Sequence, residues 1–167
     1  MAILPVRTFP DPVLTTPTTS VAHLTVAVQR RIHELIETMR HHPRCVGLAA
    51  PQVGWSARVA VVDVTGHPKA VHNHGLMVLL NPELLAHEGV VLQREGCLSV
   101  PDFTGNVPRA VRVHVRALDA KGRLWTRWCE GFEAVAIQHE LDHLDGKLFL
   151  DRVANLKTDV FRRRTYL

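Results

Sequence analysis

His139 and His143 stand four positions apart with Glu140 between them, in the run QHELDH (138–143). On a helix that interval puts both imidazoles on one face about one turn apart, where they can share a cation. Glu140 is then placed to reach the water such an ion activates, which is the position of a general base. A chain with 11 histidines can produce the pattern by accident, so the assignment turns on a third ligand.

Two common protease arrangements are excluded. One needs a further histidine at 149, after Gly146, and 149 is Phe; the other needs a downstream glutamate, and none follows Glu140. The third ligand must come from upstream, and a cysteine thiolate is a strong donor to a divalent first-row metal. Cys129, flanked by Trp128 and Glu130, reads as core, and Cys45 opens a glycine-containing loop. Cys97 lies in REGCLSVP (94–101), where a bend before Pro101 can aim its sulfur at the helix and leave neighbouring backbone N–H groups free. Cys97 is the choice. Three cysteines are too few and too odd in number for a disulfide framework, which favours a reducing compartment, with the cytoplasm as default.

The elements that must hold these groups follow from periodicity. Residues 25–40 place Val28, Ile32, Leu35, Ile36 and Met39 at helical spacing, an amphipathic helix. CVGLAAPQVG (45–54) reads as a loop in close approach to something. ARVAVVDV (57–64) and LMVLLNP (76–82) read as buried strands, and Val111, Val113, Val115 and Ala117 alternate with polar residues into a hairpin through 119–122. From about Gly131 the period becomes helical, with Phe132, Val135, Ala136, His139 and His143 on one face; a short final helix is predicted from about Val153. The fold class is α+β: antiparallel strands around a central helix carrying the His-Glu-x-x-His motif, an N-terminal amphipathic helix and a short C-terminal one.

Length and composition set the frame. At 167 residues the chain fits one domain, 1–167, and 46% hydrophobic with 22% charged residues excludes disorder and fibrous architectures. No apolar run approaches a membrane span, and Met1 to Leu14 is too interrupted by proline and charge for a signal peptide. The formal charge of +4 is partly concentrated in Arg162, Arg163 and Arg164, read mainly as a solvated helix end; no DNA partner is expected. The pairs His41-His42 and the run His72-Asn73-His74 read as surface histidines without partners.

Three stretches in this order and spacing, GLAAPQ (47–52), EGCLS (95–99) and QHELDH (138–143), resemble peptide deformylases. The resemblance extends over nearly the whole chain, including PDP (10–12) and VPR (107–109). It implies one divalent ion held by Cys97, His139 and His143, Fe(II) first, with zinc or nickel as substitutes. It implies a hydrolase that removes the formyl group from N-formylmethionyl nascent chains and releases formate. Glu140 would move the proton, and the Gln52 amide and Leu98 N–H would meet the oxyanion. Val46 and Gly47 would present backbone to an extended peptide, with Phe132, Val135 and Ala136 beside the metal as a pocket for an unbranched side chain or as plain core. Glu95 and Arg109 would brace the Cys97 bend, and Asp142 would anchor a ligand without coordinating. Ribosome contact through the C-terminal helix would suit the arginines. Cys45 departs from the glycine of many bacterial members and could narrow the entrance or offer an oxidisable thiol. The alternatives are a hydrolase acting on a small N-formyl or N-acyl metabolite, and a binding protein that kept the fold; intact Glu140 and Gln52 weigh against the second.

Overall fold

The computed structural model describes residues 2–163. Two helices, α1 (Val26–His41) and α2 (Gly131–Leu144), accompany eight strands: β1 (Gly47–Ala49), β2 (Val59–Val62), β3 (Met77–Glu88), β4 (Val91–Cys97), β5 (Val100–Arg109), β6 (Arg112–Leu118), β7 (Leu124–Glu130) and β8 (Val160–Arg162). They form a five-stranded sheet, β1-β2-β3-β6-β7, and a three-stranded sheet, β4-β5-β8, with every neighbouring pair antiparallel. The class is α+β.

The larger sheet is covered on both faces, which explains the unbroken apolar run of β2. Ala60 and Val62 point to α2, where they join Ala134, Ile137 and Leu144, whereas Val59 and Val61 point to α1 and pack with Ile32, Leu35 and Met39. A strand buried on both sides has no polar phase to show. Each of the fully buried Val, Leu, Ile and Met side chains among them contributes about 1.5–3 kcal/mol of transfer free energy. α1 begins at Thr25, whose hydroxyl accepts from the Val28 N–H, and exposes its charged side.

α2 is different: Ile137, Leu141 and Leu144 are buried, but so are Glu133, Glu140, Asp142 and His143. Those polar groups are the cost of running a functional helix through the interior, and they must find partners there. They find several on β4 and β5, beneath which a third apolar cluster of Leu14, Val107, Leu148 and Phe149 backs the smaller sheet and includes Cys97.

Three expectations need correction. The stretch 45–54 is only partly loop: Gly47–Ala49 pairs with β2, and Ala50–Val53 forms a 3₁₀ turn closed by Gly54 at φ +81°. No helix follows Val153 among the described residues. The Asn155 side chain accepts from the Lys157 N–H, and the Asp159 carboxylate from the Asn155 N–H, so local turns capture the backbone a helix would need. Val160–Arg162 then adds to the open edge of β5, pairing Phe103 with Arg162. Arg162 and Arg163 therefore belong to a strand and its end, while Arg164 lies outside the described residues. Finally, exposed His74 is not without a partner, because its Nδ1 lies 2.6 Å from a carboxylate oxygen of the buried Glu133.

Candidate metal centre

The hairpin of β4 and β5 turns on two residues, Leu98 and Ser99, with Cys97 opposite Val100. That turn carries the Cys97 sulfur into the interior against the middle of α2. The Cys97 Sγ lies 3.3 Å from His143 Nε2, which lies 3.3 Å from His139 Nε2. Donors sharing one tetrahedral ion at usual bond lengths stand about 3.3–3.6 Å apart, and all three atoms lie within 4.8 Å of one another, so they can share a single cation. A second cluster, His74, Cys129 and Glu133, does not pass the same test. Its 2.6 Å nitrogen–oxygen separation is a hydrogen bond, closer than two ligands of one ion approach, and it ties the 66–75 loop to the start of α2.

Electrostatics favour the same ligands. Burial opposes ionisation of the Cys97 thiol, but His143 and His139 beside it hold it well below its ordinary value, which favours the metal-binding thiolate. His139 Nδ1 lies 2.8 Å from a Glu95 carboxylate oxygen, which places the proton on Nδ1 and leaves Nε2 free to coordinate. Glu95 is in turn held by a bidentate Arg109, at 2.7 and 2.9 Å. Burial alone would raise the Glu95 carboxyl, yet Arg109 and His139 bring it down to about 2. Arg109 also donates to Asp142 at 2.6 Å, and Asp142 accepts from Arg152. The chain Asp142–Arg109–Glu95–His139 therefore runs from the back of α2 to the ligand face.

Asp142 is thus linked to His139 through Arg109 and Glu95. Asp142→Asn keeps the side-chain shape but removes the charge that steadies Arg109, and outer partners of a ligating histidine are commonly worth 10–100-fold in affinity. Because two residues stand between Asp142 and His139, about 10-fold weaker metal retention is expected in a competitive chelator titration. Unchanged retention would take it out of this chain.

Glu140 faces the ligands from one turn of α2. Burial pushes its carboxyl up to about 7, against the pull of His139 and His143, and its Oε2 has no hydrogen-bond partner among the described residues. An unpartnered buried oxygen at that pKa can take a proton and return it near neutrality. The carboxyl lies against Gly47: a Cβ built there would meet Glu140 Oε1 at 2.7 Å and Cγ at 2.9 Å. Gly47 is therefore small to make room for Glu140, a reason its sequence context did not reveal.

The other predicted residues converge on the same cavity, of about 480 Å³, lined by Gln52, Leu98, Val46, Gly47, Phe132, Val135, Ala136 and the centre itself. A cleft of similar size, about 490 Å³, lies beside Arg58 and Arg152, but none of Cys97, His139, His143, Glu140 or Gln52 lines it. Gln52 is buried; its Oε1 accepts from the Ala49 N–H, and its Nε2 points at Ser99 Oγ (3.2 Å) and the Cys97 sulfur (3.5 Å). Val135 and Ala136 are both core and cavity wall. Sequence reasoning missed Ser99, which orients Gln52, and His67, whose ring stacks on Phe132 at 4.2 Å. Cys45 lines the entrance, donates to the Gly47 carbonyl, and is pushed up to about 12, chiefly by burial and then by Glu140, so its thiol is protected rather than reactive.

Two imidazoles, a thiolate and a free carboxylate around one cavity are the equipment of metal-dependent hydrolases that activate water. The family model for polypeptide deformylase matches residues 3–159. A peptide deformylase of Alkalilimnicola ehrlichii is 43% identical over 164 residues, covering 98% of this chain and 89% of that protein. One from Xylella fastidiosa is 44% identical over 167 residues, with 98% and 95% covered. The crystal structure of the Thermotoga maritima peptide deformylase superposes with a TM-score of 0.84 at 35% identity, covering 93% of this chain and all of that one. That of Acinetobacter baumannii bound to Met-Ala-Ser gives 0.83 at 35% identity, with 91% and 100% covered. The chain belongs to the polypeptide deformylase family.

Proposed function

We propose that Cys97, His139 and His143 hold the divalent ion with which this deformylase removes the formyl group from the N-terminal formylmethionine of newly made polypeptides. The family makes the enzyme metal-dependent; Fe(II) is our reading of the native ion, with zinc or nickel able to substitute. The observation that carries the ligand assignment is that His143 Nε2 lies 3.3 Å from both Cys97 Sγ and His139 Nε2, with all three atoms within 4.8 Å of one another. In this reading α2 is the central helix that bears the motif, and α1 an outer amphipathic one.

When bound, the ion supplies Lewis-acid chemistry, making water acidic enough to attack near neutrality. Glu140 takes the proton from the attacking water at its free Oε2 and delivers it to the departing α-amine. As the formyl carbon becomes tetrahedral, its oxygen gains charge, and Gln52 Nε2 with the Leu98 N–H stabilises it. Ser99 and the Ala49 N–H fix the Gln52 amide beforehand, so no reorganisation is needed at that step. β1 is an edge strand, from which Val46 and Gly47 can offer backbone to an extended peptide. Phe132, Val135 and Ala136 receive the methionine side chain; the Met-Ala-Ser bound to the Acinetobacter enzyme is the product such a pocket would hold. No helix is long and apolar enough to cross a membrane among the described residues, and we read the enzyme as cytoplasmic. Ribosome contact at this end of the chain stays a proposal, made from the turns and strand of 153–163 instead of a helix.

The test is anaerobic purification with metal analysis and formate release from a formyl-Met peptide. One equivalent of ion per chain is expected, with turnover that stops on chelation and returns on adding metal back. Formate release that survives complete metal removal would sink the assignment.

A further inference from the structure

The floor of the cavity is acidic and apolar, but its mouth is cationic on both sides. Arg44 and Lys69 line it from the segment before β1 and from the loop between β2 and β3; Arg94 and Arg163 line it from β4 and from the end of β8. All four are exposed. Among the described residues none of them is engaged by a carboxylate, whereas Arg7, Arg58, Arg112 and Arg116 each have one. The acids at the cavity do not neutralise them: Glu95 is committed to Arg109 and His139, and Glu140 faces Gly47 and the ligands.

Three of the four are also held in place. The Arg94 guanidinium lies 3.8 Å over the Phe161 ring and donates to Asn106. Arg163 donates its backbone N–H to Asp102 and rests its guanidinium on Gly96, next to Cys97. Lys69 reaches over Phe132, 6.0 Å from the ring centroid. His67, on the same loop as Lys69, is held below its ordinary value by burial and then by Lys69 and Arg44, so both cations of that rim lie close to one ring. Cations gathered without counter-ions repel one another, and an incoming anion relieves that repulsion.

A peptide whose formyl group sits at Cys97, His139 and His143 must leave the cavity between these rims. We infer that the mouth formed by Arg44, Lys69, Arg94 and Arg163 selects formylated peptides that carry carboxylates on the residues immediately following formylmethionine. The inference rests on the deformylase reading and names the substrate class of the same site. A side-chain carboxylate and the terminal carboxylate of a short peptide offer the same chemistry, and amidation separates them.

The experiment compares kcat/KM for C-terminally amidated formyl-Met-Xaa-Ala with Xaa as Glu, Gln or Lys, and for the Gln peptide with a free carboxylate. At low ionic strength the Glu peptide is expected to exceed the Lys peptide about 10-fold, with Gln between, falling to about 2-fold at 0.5 M salt as screening shortens to a few ångströms. In Lys69→Gln/Arg94→Gln the Glu-to-Lys ratio is expected to collapse toward one. A gain for the free-carboxylate Gln peptide over its amide, with no Glu preference, would assign the mouth to chain ends and overturn the side-chain proposal. Equal rates for all peptides, with salt-sensitive retention of the protein on RNA, would overturn it in favour of nucleic acid. If no formylated peptide releases formate, the deformylase reading fails instead, so the two failures are distinguishable.

Discussion

Glu140→Gln is expected to lower formate release about 10³-fold while the ion remains in place. Glutamine has nearly the same volume, so the contact with Gly47 and the burial of the side chain survive. What disappears is a group that can accept a proton: an amide nitrogen and oxygen cannot take and return one near pH 7. The stability of the fold should not fall, because a carboxyl whose burial raises it to about 7 gains nothing from being buried charged. The measurement pairs kcat on a formyl-Met peptide with metal content and a thermal melt. Turnover within tenfold of the native enzyme, at equal metal content, would remove Glu140 from proton transfer and leave the ion and Gln52 to carry the reaction.

What could be read in advance divides along a physical line. The placement of His139 and His143 on one face of α2 was legible because their interval matches the helical period, and β2 because a doubly buried strand is continuously apolar. That Cys97, and not Cys45 or Cys129, lies beside those histidines was reached by comparing three thiols. The smaller sheet, and β3 of the larger one past Asn81, were much less legible. β4 alternates poorly, β5 contains Pro101 and Pro108, and β3 runs through Pro82 with a shift in register between Leu80 and Glu83, so each looks interrupted where it is in fact paired. Contacts between distant segments leave no periodic trace at all. Glu95 meets His139 across 44 positions, and Gln52 meets Ser99 across 47. Nothing in REGCLSVP says that Glu95 fixes the tautomer of an imidazole on another element. The final segment failed for a local reason: Asn155 and Asp159 bind their own backbone, and the free edge of β5 gives Val160–Arg162 a better use for its hydrogen bonds.

Gly47→Ala isolates the one role that sequence context disguised. A glycine in GLAAPQ reads as a turn, but Gly47 is a strand residue paired with Val62, and it is not among the glycines of positive φ. Alanine is therefore compatible with its backbone and, by narrowing the unfolded ensemble, adds about 0.4–1 kcal/mol in its favour. Against that stands the new methyl group, 2.7 Å from Glu140 Oε1, 2.9 Å from Cγ and 3.0 Å from Cδ. Those atoms end a flexible side chain, so the collision is resolved by moving Glu140 and not by unfolding. The displacement is on the order of an ångström, and misplacing a catalytic group by that much costs about 10²-fold in rate. The expected result is a protein with an unchanged melt, a full complement of metal and roughly 10²-fold lower kcat, with KM for a formyl-Met peptide little altered. A melt that drops with the rate would mean that Gly47 serves packing instead. Native turnover with the methyl in place would show that Glu140 does not work from the position it occupies here.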